Sequence, residues 1–269
     1  MSVYDLSKRH RRGAVRPSPI FLGFLALAVL GGWVSWRDNG VGSRTADFGA
    51  FVMVVAAWVV SLCLHEFAHA YAAFRAGDRS VEAAGYLTLN PLKYAHPVLS
   101  LLLPLLFIVQ GGIGLPGGAV YLHRHSFQSR ATQSVAAAAG PLTNVAFAAI
   151  LLTLVRGQEN SSHVRFWAAL AFLGFLQITA AVLNLLPIPG LDGWAIIEPY
   201  LAPQTIASAD KIKPWGMIAV IVALQIQLFN AWFFDLVYRL NDVFVPVTGV
   251  GRPADIGRYV FRFWQKTPF

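Results

Sequence analysis

Within a stretch of otherwise apolar residues, SLCLHEFAHAYAAF at positions 61–74, stand two histidines and a carboxylate: His65, Glu66 and His69. On a helix, positions i and i+4 lie about 40° apart around the axis and about 6 Å apart along it. His65 and His69 can therefore turn two imidazole nitrogens toward one metal ion. Zinc suits such a pair. Glu66, about 100° round from His65, can reach a water at the metal without ligating the metal, which is the position of a general base. The surroundings give the pattern its weight. An unpartnered ionisable side chain inside lipid costs about 2.5 kcal/mol or more, so such clusters are rare there and usually functional. The competing reading is a buried carboxylate–histidine pair serving as a proton relay.

A catalytic zinc takes three protein ligands and keeps one position open for water. His96, His123, His125 and His163 qualify by chemistry, but they stand in polar loops without metal-ligand spacing. Asp192 is the better candidate. It lies in LNLLPIPGLDGW, where an apolar helix is broken by Pro187 and Pro189 and opened by Gly190 and Gly193. Irregular backbone at membrane depth is tolerated only where it is buried or lines a watery cavity, so a carboxylate there can face a site. Its bland alternative is an ordinary turn aspartate at the membrane surface.

The elements that must carry these residues are apolar spans. Of 269 residues 56% are hydrophobic and only 13% charged, against about 25% charged in soluble domains, so the expected class is an all-α polytopic membrane protein. The net charge of +8 sits at the chain ends and in short loops. Basic residues placed so set orientation and touch anionic headgroups, which makes membrane lipid a partner and excludes nucleic acid. The lone Cys63 rules out an internal disulfide and a cysteine-based zinc ribbon.

Along the chain, residues 1–18 form a basic leader, expected in the cytoplasm, and 19–36 a first span, read as an uncleaved anchor. A long helix over 47–76 then returns to the cytoplasm, placing His65 and His69 in its cytoplasmic half. GYLTLNPLKYAHP (85–97) mixes β-formers with Asn and Pro and reads as extended or hairpin-like, with a possible exposed strand edge over 85–90. Residues 97–109 are apolar but short, compatible with a crossing or a re-entrant dip. Spans follow at 131–155, 166–186 and 215–237, for about five to six crossings in all. The domain runs from 19 to 250, with its core over 48–194. Residues 251–269 form a basic, aromatic tail read as an interfacial segment.

HEFAH in an apolar helix, GPLTN at 140–144 in a later span and NLLPIPGLDG at 184–193 together resemble the site-2 protease family of intramembrane zinc metallopeptidases. The resemblance covers roughly residues 50–194, and 85–97 is similar to the segment after the histidine helix in many bacterial members. It implies that His65, His69 and Asp192 hold one zinc ion, that Glu66 activates water, and that Asn144 helps hold the substrate chain or the developing oxyanion. It further implies a transmembrane protein substrate, cut in a bacterial plasma membrane from the cytoplasmic side. No inserted PDZ or CBS-type domain is visible, and His96 stands where many relatives have Asp. For the zinc to close, Asp192 must emerge level with the histidines, which requires 97–109 to dip. A single crossing after residue 194 then puts the basic tail outside, unless that region turns back on itself. A zinc-binding membrane protein that senses a partner without cleaving, and a proton-coupled carrier, are the alternative functions. Retention of Glu66 argues for catalysis over the first.

Overall fold

The computed structural model describes residues 15–38, 43–94, 102–115, 126–158, 161–245, 247 and 251–265. Helix α1 (Pro19–Arg37) starts with Ser18, whose hydroxyl accepts from the Phe21 N–H, and with Pro19 at the first turn, where no amide hydrogen is needed. Helix α2 (Arg44–Arg75) is capped by Ser43 and runs 32 residues, about 48 Å at 1.5 Å per residue, more than a hydrocarbon core requires. Helices α4 (Arg130–Val155) and α5 (Val164–Asn184) form an antiparallel pair that packs against α2. Ser129 opens α4 with a capping box shared with Thr132.

Four of these helices, α1, α2, α4 and α5, are long and apolar enough to cross a membrane. A fifth crossing is made if the chain from 203 to 244, bent by 94°, counts as one broken span. That chain comprises α7 (Pro203–Ile212), α8 (Gly216–Gln225) and α9 (Gln227–Phe244); the short α6 (Asp192–Ile197) precedes it. The protein is thus an all-α polytopic membrane protein, with four to five helices able to cross among the described residues. The core is one apolar cluster centred on α2 and α5, including Trp58, Phe172, Phe175 and Leu176, with a second around the end of α2.

Between α2 and α4 the described part of 97–109 is a nine-residue helix, α3 (Leu103–Gly111). At about 13 Å it cannot cross a bilayer alone. Its end lies toward the far end of the bundle, where Arg262 donates to the Gln110 carbonyl. From there the chain returns along α5: the Gly114 N–H donates to Thr179 Oγ1 at 2.9 Å, and Leu115 reaches a small cavity beside His65. Residues 103–115 thus run out along the bundle and back.

The extended reading of 85–97 is corrected. Over its described part the chain makes 3-10 turns at Tyr86–Thr88 and Pro91–Lys93, and no strand occurs among the described residues. Burial decides it: the adjacent Tyr86 and Leu87 both turn inward, as do Leu89 and Tyr94, whereas adjacent side chains of a strand point to opposite faces. Asn90 accepts from the Leu92 N–H, and Tyr94 donates to the Cys63 carbonyl. The expected strand edge over 85–90 is therefore not there; residues 95–97, His96 included, lie outside the described residues.

The tail helix α10 (Pro253–Phe261) packs on the first half of α5, with Phe261 against Phe172 and Phe51. The start of α1 lies at the other end, where the Ser18 N–H donates to the Thr88 carbonyl. The start of α1 and the tail helix thus lie at opposite ends of the bundle.

Candidate metal centre

The α2 periodicity puts Ser61, His65 and His69 on one face, and α4 lies along it. His69 Nδ1 donates to the Ala136 carbonyl at 2.8 Å. A carbonyl only accepts, so the proton sits on Nδ1 and the Nε2 lone pair points the other way. His65 Nδ1 meets Asn144 Oδ1 at 2.7 Å and is fixed in the same sense. Partners of this kind set tautomer and ring orientation in metal-binding histidines. Both histidines and Asn144 are buried.

The two freed nitrogens face each other at 3.1 Å. The third corner is Asp192, 123 residues beyond His69 at the start of α6: its Oδ2 stands 3.2 Å from His65 Nε2 and 3.4 Å from His69 Nε2. That oxygen is buried and makes no hydrogen bond. Three electron-rich atoms therefore crowd into one spot with nothing to donate between them, an arrangement that only a cation or an added proton can stabilise. The spacing fits zinc. A tetrahedron with bonds of about 2.0–2.1 Å has edges of about 3.3 Å, close to all three separations. Two imidazoles and one carboxylate also leave a fourth position open.

Close approach of α4 makes room for this. A Cβ on Gly140 would collide with His69 Nε2 and stand 2.6 Å from His65 Nε2. The helix carries Pro141 next to it, which removes one backbone hydrogen bond and loosens α4 at the same level. Glu66 is buried, with Oε1 4.0 Å from His65 Nε2, beside the cluster and outside its triangle. The Asp192 side chain is 24% exposed against 6% and 7% for the imidazoles, so it is the most accessible of the three.

The structure thus brings His65, Glu66, His69, Asn144 and Asp192 together. Asn144 gives its oxygen to His65, a contact that sequence reasoning did not contain. Gly140 and the Ala136 carbonyl were missed as well. His163 is elsewhere, stacked on Trp36 at 3.6 Å at the opposite end of α5; His96, His123 and His125 lie outside the described residues. An apolar cavity of about 500 Å³ between α1, α2, α4 and α5 reaches from Trp33 to Ser61, one turn before His65. It is larger than any space at the centre itself but carries no ionisable group.

No protein-family model and no solved structure matches the chain. Among curated sequences, the candidate zinc metalloprotease Rip2 of Mycolicibacterium smegmatis is 49% identical over 258 residues, 96% of this chain and 98% of that protein. Rip2 of Mycobacterium tuberculosis is 48% identical over 261 residues, 97% and 99% of the two chains. The candidate zinc metalloprotease YwhC of Bacillus subtilis is 32% identical over 171 residues, 61% of this chain and 76% of its own length. With relatives matched from end to end, and with the histidine helix, the GPLTN segment and the NLLPIPGLDG turn meeting at one centre, the chain belongs to the site-2 protease family.

Proposed function

We propose that the protein is an intramembrane zinc metalloprotease that hydrolyses peptide bonds in or near transmembrane segments of other membrane proteins. The observation that carries this is the convergence of His65 Nε2, His69 Nε2 and Asp192 Oδ2, all within 4.8 Å of one another, with a buried carboxylate beside them. One zinc ion per chain is held by those three atoms. Bound there, zinc supplies Lewis acidity, bringing the pKa of a water toward about 7 and polarising a carbonyl. Glu66 takes the proton of the attacking water and passes it to the departing amide nitrogen as the C–N bond breaks. Because Asn144 Oδ1 accepts from His65, its Nδ2 remains to donate to the substrate carbonyl chain. A helical substrate hides its amides in i to i−4 bonds and must unwind locally before attack.

The start of α1, the 3-10 segment and the metal centre share one end of the bundle. By the positive-inside tendency that end is cytoplasmic, and the protein is a multi-pass protein of a bacterial plasma membrane with its active site toward the cytoplasm. Residues 19–250 act as one protease domain, flanked by the basic leader and the 251–269 tail.

The test is reconstitution of purified protein with a panel of single-span membrane proteins, wild type beside Glu66→Gln. The reading expects wild type to cleave within or near the span and Glu66→Gln to hold zinc while cleaving nothing. Cleavage by Glu66→Gln would overturn the assigned base. Wild-type protein that holds zinc and cleaves no member of the panel would favour a zinc-binding, non-cleaving partner sensor.

A further inference from the structure

The apolar cavity between α1, α2, α4 and α5 plays no part in the chemistry of the metal centre. Along α1 its lining runs from Leu25 to Trp36, about 16 Å of helix, which is the depth of one leaflet in a hydrocarbon core about 30 Å thick. Leu25, Val29 and Trp33 belong to a spanning helix and are exposed, so the cavity opens toward lipid. At its inner end Gln177 Nε2 donates to Ser61 Oγ at 2.8 Å, Ser61 donates to the Trp58 carbonyl, and Gln177 Oε1 is buried. A ligand there meets almost nothing but carbon. At the outer end the Arg37 guanidinium stands 4.8 Å from the centre of the Trp33 ring and makes no ion pair among the described residues. Tryptophans and a terminal arginine at the end of a span are the residues that sit at headgroup level.

We propose that this cavity binds one phospholipid of the leaflet opposite the metal centre, with an acyl chain lying along α1 and α5 down to Ser61 and its phosphate at Arg37. Size selects the occupant. Spread over about 16 Å, a volume of about 500 Å³ leaves a cross-section of about 30 Å². A helix about 10 Å across needs about 80 Å², so a transmembrane segment does not fit. An unwound peptide would leave its amides unpaired against an apolar wall, and water finds no partners there either. A hydrocarbon chain needs none. Charge selects the headgroup, because a guanidinium fork without a carboxylate partner matches the oxygens of a phosphate. Ser61 also lines the small cavity beside His65, so the bound chain closes the lipid side of the metal centre. The inference does not depend on the zinc chemistry.

The experiment is photolabelling of the full chain in maltoside micelles with phosphatidylglycerol carrying a diazirine at the end of one acyl chain, beside a diacylglycerol with the same chain and no phosphate. In wild type the phospholipid should label residues 57–61 and 173–177, at the inner end of the cavity, and the diacylglycerol should label them about fivefold less, the worth of one cation near anionic lipid. Arg37→Gln should bring phospholipid labelling down by the same factor. Ala57→Phe should abolish it, since a ring placed in the cavity leaves no room for the chain. Labelling spread over the outer faces of the helices and undiminished in Ala57→Phe overturns the site; where that variant does not fold, the same result in Ala28→Phe overturns it. Equal labelling by the two probes, or full labelling in Arg37→Gln, overturns the phosphate contact. A photoreactive single-span peptide that labels the inner end while neither lipid does overturns the lipid as occupant.

Discussion

The two ends of the bundle bury charge in different ways. At the end carrying the first turns of α2 and α5, the buried Asp47 carboxylate meets Arg165 Nε at 3.1 Å, so anion and cation balance within the protein. At the other end His65, His69 and Asp192 offer three acceptor atoms to one point and supply no cation. The first end is closed; the second is complete only with something added. This difference separates buried charge that organises a fold from buried charge that binds.

The sharpest way to break the comparison is to remove a histidine. His69→Ala should lower zinc from about one per chain to near none by elemental analysis, since two protein ligands do not make a catalytic zinc site. Gly140→Ala should do nearly as much by placing a methyl group where the ion sits, and retention of full zinc would show that α4 yields more than close packing implies. Next comes Asn144→Ala. Loss of the group that orients His65 should weaken zinc by about 10- to 100-fold in chelator competition. The opposite end supplies the control. Arg165→Met should leave zinc content unchanged while destabilising the protein by about 1–3 kcal/mol in denaturant titration, because it removes the cation that meets the buried Asp47 carboxylate. The smallest effect is expected from Ser134→Ala, which removes the 2.6 Å hydrogen bond from Ser134 Oγ to the Ile196 carbonyl in α6: a fewfold loss of zinc affinity at most, since one hydrogen bond is worth about 1 kcal/mol net.

How far each part could be read from the sequence follows from how local its cause is. The i, i+4 pair on α2 is set by helix geometry, so His65 and His69 were legible, as was Glu66 between them. Asp192 was legible because a proline- and glycine-broken stretch in an apolar run has few stable reasons to exist. The 85–94 segment was not, since its β-formers are turned inward by contacts with α2 rather than by their own pattern. Nor were Gly140 or the Ala136 carbonyl. Their roles depend on how closely α4 approaches α2, a distance that is not written in any local spacing.

The central claim is that two imidazole nitrogens and one carboxylate oxygen hold a single zinc ion. X-ray absorption at the zinc edge on purified wild-type protein tests it most directly. The account predicts one zinc per chain in a shell of nitrogen and oxygen at about 2.0–2.1 Å, with two imidazoles in wild type and one in His69→Ala if any metal remains. A sulfur shell at about 2.3 Å, which would implicate Cys63, or purified protein without stoichiometric zinc would contradict it.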